Sequence, residues 1–296
     1  MQTLRHVLWI GGPPGAGKSS VATRLARRYG LRWYNADTRT WQHRDRALRG
    51  GNAAARRWEA KTPQQRWAES TPCQMLEMSL HRERGPMVSD DLRALPHSPL
   101  VVAEGSTLPA YALSSGIAER SRAVWLLPTR AFQQTTLTDR AVASGPRALH
   151  LLLGETIQQE AREHGAQTLT VDGSRGIDQM VAAVQDLFAE ALAEGPHAAT
   201  LAERRGLLRE ANEAIASQVR GFYSRPWADG DAEAVVREFV CECGDPGCDA
   251  SVFIPVGGLA SGAALASGHR LAGHLFDIPY FLDTPQCPRC CGLHAG

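Results

Sequence analysis

Residues 6–30, HVLWIGGPPGAGKSSVATRLARRYG, restrict what this chain can fold into more than any other stretch. Gly12-Pro13-Pro14-Gly15-Ala16-Gly17-Lys18-Ser19 fits G-x-x-x-x-G-K-[ST], the Walker A phosphate-binding pattern. Glycines at these points let backbone N–H groups turn inward around an anion. Lys18 supplies a compact point charge that a planar guanidinium replaces poorly, and Ser19 supplies a hydroxyl suited to Mg²⁺. Such a motif carries meaning only between a strand and a helix, and the flanks provide both. "HVLWI" reads as a short buried strand. "SSVATRLARRYG" sets Val21, Ala22, Leu25, Ala26 and Tyr29 on a helical period and stops at Gly30. The expected nucleotide-binding residues are therefore Gly12, Pro13, Pro14, Gly15, Ala16, Gly17, Lys18, Ser19 and Ser20, with the helix N-terminus adding its dipole. The competing interpretation, a Gly/Pro turn containing an accidental GKS, is disfavoured by that context.

Beyond Gly30, short apolar runs closed by breakers alternate with helical patterns. The runs are "LRWYNA", "PLVVAEG", "RAVWLLP" and "QTLTVDG". Thr62-Pro63-Gln64-Gln65 and Thr71-Pro72-Cys73-Gln74 read as capping boxes with Pro at the first helical position, the second opening a helix that runs to Gly85. "ALHLLLGETIQQEAREHG" and "GIDQMVAAVQDLFAEALAEG" are amphipathic and end at Gly. Alternation of this kind predicts an α/β domain with a parallel five-stranded sheet and helices on both faces, ending near Gly195-Pro196.

Composition narrows the function. A net charge of +1 gives no support to general nucleic-acid binding or a polybasic membrane anchor. No apolar run approaches the ~20 residues of a membrane span, and the start lacks a secretory h-region. The expected location is the cytoplasm, where the seven cysteines are thiols or metal ligands rather than disulfides. Of 32 basic residues only Lys18 and Lys61 are lysines, so one of two exceptions to a general use of arginine falls inside the opening motif.

On these residues, the stretch from about Leu4 to Gly195 resembles P-loop kinases of the nucleoside-monophosphate-kinase-like group, which includes shikimate kinase, gluconate kinase and chloramphenicol phosphotransferase. The Walker A loop carries most of the likeness. The resemblance implies that Asp37, in "WYNADT", faces the acceptor hydroxyl just past the second strand, as ligand sites of doubly wound sheets would have it. It implies that Glu104, in "LVVAEG", stands in the Walker B position and holds Mg²⁺ with Ser19. "AVWLLPT" with Arg130 and Arg140 resembles the fourth strand and an arginine-bearing lid, in which Arg140 or Arg147 stabilises the transferred phosphoryl group, and "LTVDGS" resembles the strand beside the adenine. Each residue has a plainer reading: Asp37 in a helix cap, Glu104 as a carboxylate beside a turn, the arginines as ordinary surface charges. Two departures from the pattern are a short lid, "RAVASGPRAL", and a long segment from His43 to Gly85 that leaves the acceptor unnamed. Asp90 and Asp91 could be acceptor-site or metal carboxylates, or could belong to an exposed helix capped by Ser89 or Asp90. Trp41, Trp58 and Trp67 could line an acceptor pocket, although helix packing is the more ordinary use of such residues.

From about His197 the character changes. A long helical stretch leads to "FVCECGDPGCDASV", with Cys241, Cys243 and Cys248, and the chain ends in "CPRCC", with Cys287, Cys290 and Cys291. C-x-x-C is the commonest zinc-knuckle spacing, and a tetrahedral zinc site needs four ligands. Cys241, Cys243, Cys248, His269, Cys287 and Cys290 are the candidates, with His274 as a further option for the histidine. Residues 208–269 resemble small zinc-ribbon-like modules, which implies the use of His269. Free thiols or a redox pair are the alternative. A small Gly-rich region would profit from a metal crosslink.

The expectation is thus a P-loop kinase-like domain over residues 1–195 and a helical linker with a cysteine-rich module over 196–296. The expected activity is ATP- and Mg²⁺-dependent phosphoryl transfer to a small-molecule hydroxyl, with Lys18, Asp37 and Arg140 catalytic. The competing class is a nucleotide-dependent regulator whose zinc module senses metal or binds a protein partner. A polynucleotide kinase is disfavoured by the near-zero charge.

Overall fold

The structure, a computed structural model, describes residues 2–106, 108–260 and 264–266. Its centre is a parallel five-stranded sheet in the order β2-β3-β1-β4-β5. The strands are β1 (Val7–Gly11), β2 (Arg32–Asn35), β3 (Val101–Gly105), β4 (Ala123–Pro128) and β5 (Gln167–Val171), the five apolar runs of the sequence. In chain order the helices are α1 (Lys18–Tyr29), α2 (Thr40–Arg49), α3 (Ala53–Ala60), α4 (Pro63–Trp67), α5 (Pro72–Met78), α6 (Arg84–Arg93) and α7 (Leu108–Ser114). Then come α8 (Arg130–Asp139), α9 (Ser144–Glu163), α10 (Ile177–Leu187), α11 (Ala189–Glu194), α12 (Leu201–Tyr223) and α13 (Val256–Ala260). An antiparallel pair, β6 (Val236–Val240) and β7 (Ser251–Pro255), precedes α13.

Strand periodicity explains the two-sided burial. Along β1, Val7 and Trp9 point to one face and join Trp125, Leu149, Leu153 and Ile157. Leu8 and Ile10 point to the other and join Leu25, Val181 and Val184. A strand covered on both faces favours apolar residues at successive positions, which is why β1 is continuously apolar. Each fully buried large side chain contributes roughly 1.5–3 kcal/mol. The parallel register sets Ile10 opposite Glu104 and Asn35 opposite Glu104, so the carboxyl ends of β1, β2 and β3 share one edge.

The long segment between β2 and β3 is helical. Both capping boxes form: the side chain of Thr62 accepts from the Gln65 N–H and that of Thr71 from the Gln74 N–H, with the glutamines reciprocating. The helix opened by Thr71 nevertheless ends at Met78 and does not reach Gly85. Ser79 Oγ turns back to the Leu76 carbonyl at 2.7 Å and also accepts the His81 N–H at 3.2 Å. Leu80 then takes φ 60°. Its burial among Ala47, Ala54 and Ala55 offsets a left-handed conformation that costs about 1–2 kcal/mol. Gly85 lies inside α6 instead, where a Cβ would sit 2.5 Å from the Tyr111 Cβ, so its role is close helix contact. Asp90 and Asp91 also lie within α6 rather than at its cap.

The tryptophans pack. Trp58 meets Trp67 edge-on at 5.2 Å, and Trp41 meets Phe222 and Trp227 at 5.7 and 5.8 Å. Buried Arg44 and Arg66 lie over the Trp58 ring at 4.5 and 4.9 Å, and Arg66 also covers Trp227 at 4.1 Å. Helix α12 lies along β2, the edge strand, and α2. Beyond it Arg225 pairs with Asp45 at 2.7 Å and Trp227 donates to Glu59 at 2.9 Å. The amphipathic stretch after Gly176 divides at Phe188 into α10 and α11. Among the described residues no helix is long and apolar enough to cross a membrane.

Candidate active site

The loop between β1 and α1 owes its path to three glycines. Gly12, Gly15 and Gly17 have φ of 139°, 87° and 78°. A Cβ on Gly12 would lie 2.2 Å from the Leu126 carbonyl oxygen, so the loop's first residue presses on β4 as no other residue type could. Ala16 N–H donates to the Pro13 carbonyl at 3.2 Å, and Gln133 from α8 donates to the Pro14 carbonyl at 3.1 Å. Helix α1 opens at Gly17 with no side-chain cap and no acid in its first turn. Its first N–H groups are therefore left for an anion, whereas Asn52, Thr62, Thr71, Thr129 and Thr200 each cap their own helix. Lys18 is buried, its Nζ donating to the Pro13 carbonyl, while Ser19 and Ser20 are exposed.

Glu104 is fully buried at the end of β3. Its Oε1 accepts from Ser19 Oγ at 2.7 Å, and its Oε2 is buried with no hydrogen-bond partner among the described residues. Burial pushes its carboxyl up to about 7, Asp37 adds to the rise, and Lys18 and the Ser19 hydroxyl oppose it. A buried carboxylate oxygen without a donor, beside the Walker A hydroxyl, fits a hard divalent cation with oxygen ligands such as Mg²⁺.

Asp37 sits in a 3₁₀ turn, Ala36–Arg39, directly after β2, its N–H donating to Asn35 Oδ1 at 2.8 Å. Its side chain is exposed, with Arg84 Nη1 at 3.7 Å from Oδ1. Arg84 is itself buried and fixed, donating from Nη2 to the Ala36 carbonyl and from Nε to His43 Nδ1 at 3.2 Å. An arginine Nε is always a donor, so Nδ1 accepts and the His43 proton is on Nε2, which donates to Asp91 Oδ2 at 2.8 Å. Asp91 also receives Tyr34 OH at 2.8 Å and Arg46 Nη1 at 3.0 Å. Burial works to raise the Asp91 carboxyl, yet the bonds from His43 and Tyr34 hold it below its usual value. Asp91 is thus the hub of a network that supports Arg84, and Arg84 in turn stands beside Asp37.

One residue absent from the sequence reading belongs here. His150, on α9, has a buried Nδ1 with no hydrogen-bond partner among the described residues. Burial lowers its pKa, Asp37 raises it and Lys18 lowers it, so the ring feels both charges that flank the cleft. Gln133 Nε2 bridges the His150 carbonyl at 3.0 Å and the Pro14 carbonyl, tying α9 to the loop. The available signal was a single imidazole within the run Leu149 to Leu153. The lid arginines stand otherwise: Arg140 is exposed at the end of α8, Arg147 donates to the Val142 carbonyl at 2.7 and 3.1 Å, and Arg130 pairs with Glu155.

At the far end of α1, Cys241, Cys243 and Cys248 are buried with their sulfur atoms all within 4.8 Å of one another. Burial, with the neighbouring thiols, pushes Cys248 up to about 12. Three soft donors at this spacing suit a thiophilic cation, which would reverse that shift by favouring the thiolates. His269, Cys287 and Cys290 lie outside the described residues.

No protein-family profile and no curated protein matches the chain. Among solved structures, shikimate kinase from Acinetobacter baumannii in complex with shikimate aligns over 62% of this chain and 93% of its own, at 18% identity and a TM-score of 0.38. The fold is nonetheless plain in the molecule itself. A parallel sheet in the order β2-β3-β1-β4-β5, with a glycine-rich loop joining β1 to α1, is a P-loop fold, and it carries a cysteine cluster able to hold a metal.

Proposed function

We propose that the chain is an ATP-dependent phosphotransferase acting on the hydroxyl of a small-molecule acceptor. The observation that carries this reading is the arrangement along the carboxyl edge: Ser19 bonded to a buried, half-partnered Glu104 on one side, and exposed Asp37 after the adjacent strand on the other. The loop N–H groups and Lys18 bind the triphosphate. Ser19 and Glu104 hold Mg²⁺, which when bound neutralises phosphate charge. Asp37 orients the acceptor hydroxyl and takes its proton late, because phosphoryl transfer is governed by positioning and charge more than by covalent chemistry. Arg84, 3.7 Å from its carboxylate, keeps Asp37 aimed. His150 forms the opposite wall of the acceptor space. Arg140, exposed at the end of α8, stabilises the transferred group. The three cysteines hold a second cation, zinc, and the reducing cytoplasm suits them.

Turnover of ATP with and without a pool of metabolites tests the reading. A phosphotransferase is accelerated by its acceptor and yields a phosphorylated product. Hydrolysis that no acceptor quickens favours the second reading, a nucleotide-dependent regulator. The observation in favour of that second reading is the direct attachment of the cysteine loop to α1.

A further inference from the structure

The cysteine cluster and the phosphate loop share a helix. Helix α1 begins at Lys18 and carries Arg27 in its last turn. Arg27 is 5% exposed, and its guanidinium donates to the Cys248 carbonyl at 2.9 Å and the Ala250 carbonyl at 2.6 Å. Its own carbonyl accepts from Arg204 at 2.8 Å. Arg205 donates to the Cys243 carbonyl at 3.2 Å, and Arg24, one turn earlier on α1, is 3.4 Å from Asp249. Gly244 is pressed so closely on α12 that a Cβ there would lie 2.8 Å from Leu201 Cδ1. Cations from α1 and α12 thus hold the backbone of the thiol-bearing loop. Three thiolates around a divalent ion carry one net negative charge, which guanidiniums beside it offset, as outer-shell groups of metal centres do.

We propose that Cys241, Cys243 and Cys248 bind a soft divalent metal, zinc first, and that metal occupancy sets the affinity of the phosphate loop for triphosphate through Arg27 and α1. The inference rests on the reading of that loop as a nucleotide site. Beside the thiols, Ala250, Leu265 and Ala266 pack in this cluster, a small apolar group that a metal crosslink would reinforce. When the carbonyls of Cys248 and Ala250 move, Arg27 becomes a buried cation without acceptors, a state that helix α1 relieves by shifting. A helix moves as a rod, so the shift reaches the N–H groups at Lys18. Linkage makes the effect reciprocal: triphosphate tightens metal binding by the same factor.

The test titrates a fluorescent ATP analogue into full-length protein loaded with zinc or cobalt, and into protein stripped by a chelator. Stripping is expected to weaken nucleotide binding about tenfold, within the usual range of such couplings. Cobalt is expected to give a thiolate charge-transfer band. Arg27→Met is expected to keep that band and to bind nucleotide equally with and without metal. Should this variant not fold, the reciprocal measurement on the natural chain, zinc affinity with and without saturating nucleotide, decides instead. Equal nucleotide affinity in loaded and stripped protein overturns the coupling, and so does equal zinc affinity in the reciprocal arm. A tenfold difference that survives in Arg27→Met overturns the role of Arg27. Absence of the thiolate band overturns the metal site. Loaded protein that binds no nucleotide overturns the reading of the loop and leaves the band intact, so the two failures are told apart.

Discussion

Lys18 turns its ammonium back on the Pro13 carbonyl, 3.0 Å away, within the loop to which both belong. The lysine is buried there. It must exchange a neutral carbonyl for phosphate oxygens. Lys18→Ala is expected to weaken triphosphate binding by about 10–100-fold, the worth of one hydrogen bond to a charged group. Lys18→Arg should fail as well, because a planar fork cannot occupy a space shaped around a point charge. Equal affinity of both variants and the natural chain in a fluorescent ATP titration removes the Walker A assignment.

Gly12 tests the loop's architecture rather than its charge. At φ 139° and with Leu126 O 2.2 Å from where a Cβ would stand, alanine forces β4 away from the loop. Gly12→Ala is expected to cost about 3 kcal/mol or more, from overpacking and strained backbone together. Gly17→Ala meets nothing within 4 Å and strains only its own φ of 78°, so its cost should be near 1 kcal/mol. Urea unfolding of the two variants compares them directly, and equal midpoints contradict the packing argument.

Asp37→Asn keeps size and removes charge. It is expected to bind ATP normally and to lose ~10²–10⁴-fold in acceptor phosphorylation, the usual reach of a positioned acid–base group. Background hydrolysis should fall much less. Loss of ATP binding and turnover together would make the residue structural, and no change in either would move the regulator reading ahead.

The His150 ring feels the charges of both Asp37 and Lys18, so His150→Leu is expected to raise the KM for the acceptor while leaving ATP affinity within about twofold, the scatter of an unrelated surface change. A weakened ATP affinity with unchanged acceptor KM would place the ring on the nucleotide side.

His43 predicts a pH dependence of stability. Burial lowers its pKa, and Arg84 facing Nδ1 adds to the reduction against the pull of Asp91. Below about 6.5 the unfolded chain takes up a proton that the folded ring refuses, so the unfolded state binds more protons and stability falls as pH falls from there to the lowered folded value. Glu104 acts oppositely: the folded carboxyl, raised to about 7, holds a proton that the unfolded one has lost, so its contribution falls as pH rises from about 4.5 to 7. Urea unfolding at pH 7.5 and 5.5 should therefore show a smaller acid loss in His43→Gln than in the natural chain. An identical loss in both would clear His43 of the effect.

The sheet was legible because its signals are local. Each strand is an apolar run closed by a breaker, and each capping box lies within four residues of chain. The break at Leu80 was not legible, since neither Gly nor Pro marks it and the cause is burial against α2 and α3. The supports of Asp37 escaped for a related reason. Arg84 meets His43 across 41 residues, His43 meets Asp91 across 48, and Tyr34 meets Asp91 across 57. Polar partners at such separations leave no periodicity to read. The same holds for Arg27 and Cys248, 221 residues apart, which join a helix and a loop that the sequence presents as unrelated.

The stacked layer of Trp41, Arg44, Trp58 and Arg66 is completed by Phe222, Arg225 and Trp227, which lie far downstream. A ribosome delivers chain at about 5–20 residues per second, and from the amino end. The helices between β2 and β3 are thus made early and closed late, waiting many seconds for the residues that cover them. During synthesis the central sheet can form while this aromatic layer is still open, so this half of the molecule is the part that needs shelter in the nascent chain.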